Sequence, residues 1–297
     1  MGTLKFLRKI AFFLFPLVGY FLINTTINFI IYSNQTIELN DSRLLIVGDS
    51  HTTRSINPDF LSSAVNISQT AEPYVLTYWK LQKVLETNKP DIAVVGFAPH
   101  NISGFNDYKF SDSFWSIEMF KRSYPIHNFK EIDEVLDVDY AQFVEVYFKN
   151  NSFFPKLDHS YYIGEFSNWD VSNTSGWENS IDRHYFKNNK RIGISEVSID
   201  YLESIIDLCH KNDIEVYLVG SPVHPSYYKA IPEDILMAYD SLKKVYTTKA
   251  VIFDRTNDFT YPDSLFRNSD HLNNFGAKRF TIELKEYMEL EGRRDGM

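Results

Sequence analysis

The chain has a single cysteine, Cys209, so it cannot form an intramolecular disulfide. In a stretch with helical spacing (201–211), a lone cysteine reads as a small buried apolar side chain. It also suits an exported domain that avoids free thiols. Internal repeats and low-complexity tracts are lacking, which excludes solenoid and fibrous architectures. Acidic residues are missing from the first 33 positions, where Lys5, Arg8 and Lys9 are the only charges. The remainder carries 27 basic against 39 acidic side chains. It lacks the basic clusters that nucleic acid needs, and its acidity opposes docking of the folded part on an anionic surface. What is plentiful is apolar surface. Hydrophobic residues make up 44% of the 297 positions and aromatics 16%, enough for a substantial core and not a disordered composition.

Basic residues before the apolar run from Ile10 to Tyr32 predict a cytoplasmic amino terminus and an extracytoplasmic remainder, periplasmic or at the cell surface. As a helix the run spans roughly 34 Å, sufficient for a bilayer. Asn24, Thr25, Thr26 and Asn28 interrupt its outer part. No Ala-x-Ala-like cleavage site follows, and no cysteine follows for lipid attachment. The expectation is an uncleaved signal anchor over residues 1–33, crossing the membrane through 10–32. A cleaved signal and a buried core helix are the alternatives. Residues 34–42 read as a polar linker.

From residue 43 to about 290, short apolar runs alternate with helical patterns. Strands are expected at 43–47, 65–68, 92–97, 214–220 and 250–253. Helices are expected at 73–86, 195–212, 232–249 and 274–289, the second opened by a Ser195 cap. Strand–helix alternation argues for an α/β fold, a parallel sheet covered on both faces. Residues 102–191 break the alternation and read as an aromatic-rich insertion, helical near 139–149 and irregular over 153–189. Its aromatics read as packing, or, around Trp169 and Trp177, as a sugar-stacking surface. Residues 291–297 read as a tail.

Two motifs carry chemistry. The run Arg43-Leu44-Leu45-Ile46-Val47 ends in Gly48-Asp49-Ser50-His51, which presents Ser50 at the carboxyl edge of a first strand. Asn268-Ser269-Asp270-His271-Leu272-Asn273 stands just before the last helix. Together they resemble the SGNH/GDSL hydrolase superfamily, in a branch like the membrane-anchored O-acyltransferases and esterases of cell envelopes. The resemblance covers roughly residues 43–101 and 195–290. It implies a flavodoxin-like three-layer domain that performs acyl transfer. Ser50 is then the nucleophile and His271 the general base. The family places an aspartate three residues before that histidine, and here Asn268 stands there. Asp270 or Asp263 then supplies the carboxylate, or the pair works alone. The oxyanion donors are Ser50 N–H, a backbone N–H near Thr70 or Ala71 where the family has glycine, and Asn101. His51 and His224 are candidate substrate contacts, with helix-start and loop-structuring roles as the ordinary alternatives. Arg54, one helical turn past Ser50, is within reach of a substrate anion, with a surface ion pair as its ordinary explanation.

Asp49-Ser50-His51 is also an Asp-x-His after a first strand, as in metallophosphoesterases. That chemistry needs ligands at later strand ends, and neither Gly-Asp-x-x-Asp nor Gly-Asn-His-Asp/Glu occurs. No metal or cofactor is therefore expected. The expected activity is ester hydrolysis or O-acyl transfer on an acylated envelope glycan or small ester, with a membrane-bound acyltransferase as a partner. A catalytically idle scaffold or glycan-binding module is the rival.

Overall fold

Four short apolar runs and one mixed strand build the sheet. The computed structural model describes residues 2–126 and 136–295. Within them the chain divides into two units, residues 37–109 with 162–295, and residues 2–36 with 110–126 and 136–161.

In the larger unit the order is β1 (Leu44–Val47), α2 (Ser50–Ser55), β2 (Ala64–Asn66), α3 (Tyr74–Val84) and β3 (Ile92–Gly96). After the excursion come α6 (Trp177–Tyr185) and a small hairpin, β4 (Phe186–Lys187) and β5 (Lys190–Arg191). The chain continues through α7 (Glu196–Lys211), β6 (Glu215–Gly220), α8 (Pro225–Ala230), α9 (Glu233–Tyr246), β7 (Val251–Asp254) and α10 (Asn274–Asp295). The main sheet runs β2-β1-β3-β6-β7, and every pairing is parallel. Renumbered along the chain this is the 2-1-3-4-5 order of doubly wound flavodoxin-like folds. The expected fold class is therefore observed.

Strand side chains alternate between two apolar layers, because a β-strand has a period of two. Leu45, Val47, Val95, Val216 and Leu218 face Leu81, Leu202, Ile206 and Tyr239 from α3, α7 and α9. Leu44, Ile46, Val94 and Val219 face Phe280 and Leu284 of α10. Cys209 is buried in the first layer, and burial pushes its thiol up to about 12, which removes thiolate chemistry. Two boundaries differ from the sequence expectation. Leu39 is buried in the core, so the end of the expected linker packs with the sheet unit. The stretch expected to be irregular over 153–189 contains α6, whose Ile181, His184 and Tyr185 are buried at helical spacing. Only three apolar contacts per two turns show through a polar surface there, too few to read by period alone. The last two residues of the expected tail, 296 and 297, lie outside the described residues; the rest of it up to Asp295 continues α10.

The smaller unit holds α1 (Gly2–Asn34), α4 (Ser116–Ser123) and α5 (Tyr140–Asn151). The helix α1 is long and apolar enough to cross a membrane, with most of its side chains uncovered. The polar interruptions in its outer part have partners. Asn28 donates to the Asn151 and Phe154 carbonyls at 2.7 and 2.8 Å and accepts from Lys156 N–H at 2.7 Å. Asn24 donates to the Phe153 carbonyl at 3.1 Å, and Thr25 meets Ser152 at 2.8 Å. Asn28 thus satisfies the last carbonyl of α5, and the other contacts tie down the turn that follows the helix.

Candidate active site

Gly48 ends β1 at φ +137°, and a Cβ there would lie 2.7 Å from Thr52 Oγ1. Only glycine fits this turn, which drops the chain directly into α2. Asp49 caps α2 by accepting His51 N–H at 2.9 Å, and Ser50 becomes the first helical residue, partly exposed. The loop 267–273 is held by backbone bonds from Arg267 N–H to His271 carbonyl at 2.8 Å and from Asn273 N–H to Leu265 carbonyl at 3.0 Å. It brings His271 Nε2 to 2.8 Å from Ser50 Oγ. The two residues are 221 positions apart in sequence.

Asn268 Oδ1 accepts the backbone N–H of His271 at 2.9 Å and lies 3.0 Å from its Nδ1. Asp270 Oδ2 lies 3.5 Å from the same Nδ1. Both neighbours of Nδ1 are acceptors, so the proton belongs on Nδ1 and Nε2 is left to accept from Ser50. Burial pushes His271 down to about 4, against the upward pull of Asp270. The imidazole is therefore neutral at ordinary pH, as a base must be. The Asp270 carboxylate has no exposed surface, accepts from Ser180 Oγ at 3.0 Å and has Arg183 Nη2 at 3.5 Å. Burial pushes this carboxyl up, but His271, His51 and His184 outweigh it and hold the group well below the usual range. Asp263 is not behind the imidazole; it faces His224 Nε2 at 3.2 Å.

A second carboxylate–histidine pair is built on Asp49, the residue before Ser50. Asp49 Oδ2 is 2.6 Å from His100 Nε2 and accepts from Asn101 Nδ2 at 2.9 Å. Burial pushes Asp49 up, but His100 and the His51 N–H hold it well below its ordinary value. His100 is pushed down to about 4 by burial and then by His51. The pair is thus carboxylate and neutral imidazole. His51 lies between the two pairs, its ring centroid 3.9 Å from His100 and 4.7 Å from His271. His184, stacked on His100 at 5.2 Å, bonds Tyr227 Oη through Nδ1 at 2.6 Å.

The other expected residues fall as follows. Ala71 adopts φ +60°, the left-handed conformation for which glycine is preferred and which costs a β-carbon about 1–2 kcal/mol. The turn is braced by the buried Lys80, which bonds Glu72 at 2.7 Å and the Ile67 carbonyl at 2.6 Å. The N–H groups of Ser50 and Ala71 have no partner among the described residues. One N–H of the Asn101 amide goes to Asp49, while its Oδ1 accepts from Ala98 N–H at 2.9 Å. His224 does not join the histidine cluster. It caps α8 by accepting Ser226 N–H and turns its far nitrogen to Asp263. Trp177 is partly buried against the first core layer, whereas Trp169 is 50% exposed.

Sequence reading missed His100, His184 and Arg183. His100 had a signal, since it directly precedes Asn101 after the third strand. His184 and Arg183 had none, being on the unexpected α6. The ligand atoms of Asp49, His51 and His100, and of His51, Asp270 and His271, each lie within 4.8 Å of one another. A cation in the second trio would compete with Ser50 and Asn268 for the nitrogens of His271.

Among solved structures the chain is similar to a GDSL-like lipase from Bacteroides thetaiotaomicron, at 10% identity over 89% of this chain and 98% of that one, with a TM-score of 0.42. It is also similar to a lipase/acylhydrolase from Enterococcus faecalis, at 13% identity over 84% and 96%, with a TM-score of 0.38. No protein-family model and no curated protein matches. Likenesses this distant carry no weight for the reaction, which rests on the geometry of the site.

Proposed function

We propose that the protein is a serine-dependent ester hydrolase or O-acyltransferase. The observation that carries this is the 2.8 Å approach of His271 Nε2 to Ser50 Oγ, with Nδ1 backed by Asn268 and Asp270. His271 takes the hydroxyl proton as Ser50 Oγ attacks the ester carbonyl. The oxyanion is met by the N–H groups of Ser50 and Ala71, with the second N–H of Asn101 as a third donor. The protonated imidazole returns its proton to the leaving alcohol, leaving an acyl-Ser50. Water or an acceptor hydroxyl, deprotonated by the same nitrogen, then releases the acyl group. Whether water or the acceptor arrives decides between hydrolase and transferase.

Asn268 holds the ring, and Asp270, at 3.5 Å, supplies the negative charge that favours the imidazolium. The two residues together do the work of the single carboxylate the resemblance implies. The anchor-like α1 and the exposed Trp169 support an extracytoplasmic, acylated envelope glycan as the substrate, with a membrane-bound acyltransferase as partner. Aryl acetate hydrolysis and its loss in Ser50→Ala test the reaction; unchanged hydrolysis in the variant overturns it. Unchanged polysaccharide ester content in a deletion strain overturns the substrate.

A further inference from the structure

Three arginines border the catalytic edge, in a chain whose formal net charge is -9. Arg54 lies on α2 four residues after Ser50, on the same helix face. Its carbonyl accepts from Asn168 Nδ2, but its guanidinium has no hydrogen bond or ion pair with any described residue. The surface ion pair expected for it is therefore not observed among those residues. Arg267 begins the loop that carries His271. Its guanidinium lies 3.6 Å from the Trp169 ring centroid, and Nη1 is buried without a partner. Arg183 is the third, and Asp270 is its acidic neighbour. A strap orders the first two. Ser167 N–H donates to the Thr53 carbonyl at 3.1 Å, Asn173 N–H to the Arg267 carbonyl at 2.9 Å and Asn168 Nδ2 to the Leu272 carbonyl at 3.0 Å.

Arg54 and Arg267 are partly buried, and the carboxylate whose field reaches both is Asp270, which is already engaged by His271, Ser180 and Arg183, so a further anion would offset the cost of burying the two cations. Burial, and then the neighbouring Arg267, push Arg54 down to about 10 against the upward pull of Asp270 and Asp49. The planar fork of arginine matches the two oxygens of a carboxylate, and of phosphate or sulfate equally.

We propose that the site selects an ester bearing a negative charge, held by Arg54 and Arg267 beside Ser50. This rests on the reading of Ser50 as an acyl-accepting nucleophile. The charge belongs either to the acyl group or to the alcohol. Trp169 covers one face of the Arg267 guanidinium, which keeps the fork rigid.

The test uses the full-length protein and two matched pairs of fluorophosphonates. One pair carries a carboxylate or its methyl ester on the alkyl chain that mimics the acyl group. The other carries them on the alkoxy group that mimics the alcohol. In at least one pair the carboxylate should label Ser50 about tenfold faster at low salt, the size expected of a charge-assisted contact. The advantage should shrink as salt rises. It should disappear in the double variant Arg54→Met/Arg267→Met, which keeps the apolar stems, and return in part with Arg54→Lys/Arg267→Lys. The faster pair tells which side bears the charge. Equal or slower labelling by both carboxylate probes overturns the proposal, as does an advantage that survives in the double Met variant. If none of the four probes labels Ser50, the nucleophile reading itself fails.

Discussion

Two buried carboxylate–histidine pairs adjoin Ser50, with the His51 ring between them, and they share chemistry but differ in tightness. On one side Asp49 is bound at 2.6 to 2.9 Å by His100, Asn101 and the His51 N–H. On the other, Asp270 meets Ser180 at 3.0 Å and reaches His271 and Arg183 only at 3.5 Å. The tight pair is committed to structure, because three short hydrogen bonds to Asp49 hold the turn that carries Ser50. The loose pair has reserve, and catalytic hydrogen bonds are often long before substrate arrives. The difference teaches which acid builds the site and which acts in it.

Replacing one acid at a time tests that division. Asp49→Ala strips the acceptor from three buried donors and should cost about 3 kcal/mol or more of stability. Thermal unfolding should then come about 6 °C lower or more. A variant as stable as the parent would break the comparison. Asp270→Asn keeps the size and removes the charge. It should lower kcat on an aryl ester about a hundredfold, with far less effect on unfolding than Asp49→Ala. Equal losses of stability in the two variants would make both acids structural.

Acid should act on both pairs at once. His100 and His271 sit at about 4 in the folded chain against an ordinary 6.5, and His184 is also lowered. The unfolded chain therefore binds more protons in that window. Stability should be full above about 6.5 and fall as pH drops toward 4, by roughly 3 kcal/mol each for His100 and His271. The acidic limb of kcat/KM should likewise lie near 4 rather than 6.5, because His271 stays neutral above it. A limb near 6.5 in the rate profile would contradict the buried, neutral base. The smallest expected effect is that of Asn268→Asp. A carboxylate at 3.0 Å from Nδ1 should move the limb upward while changing kcat less than about tenfold.

The parts legible in the sequence were those carried by short-range pattern. Apolar runs ending at Gly48 and Gly220 mark strand ends. Ser50 and His271 are identifiable because each sits at a junction of strand, loop and helix. The role shared by Asn268 and Asp270 was not legible, since it depends on how a four-residue loop folds back on its own imidazole. Asp49 and His100 are 51 positions apart, and nothing in either neighbourhood records that they touch. The polar residues of α1 looked like flaws in an apolar run, although Asn28 closes the end of α5 and Asn24 binds the turn after it. A polar side chain signals a partner in such a helix without saying where the partner is.

The central claim is that His271 activates Ser50. Peptide mass mapping after fluorophosphonate treatment tests it most directly. The label should fall on Ser50, be absent in Ser50→Ala and appear at least about a hundredfold more slowly in His271→Gln. Labelling of Ser50 at the parent rate in His271→Gln, or none on Ser50 in the parent, would contradict the account.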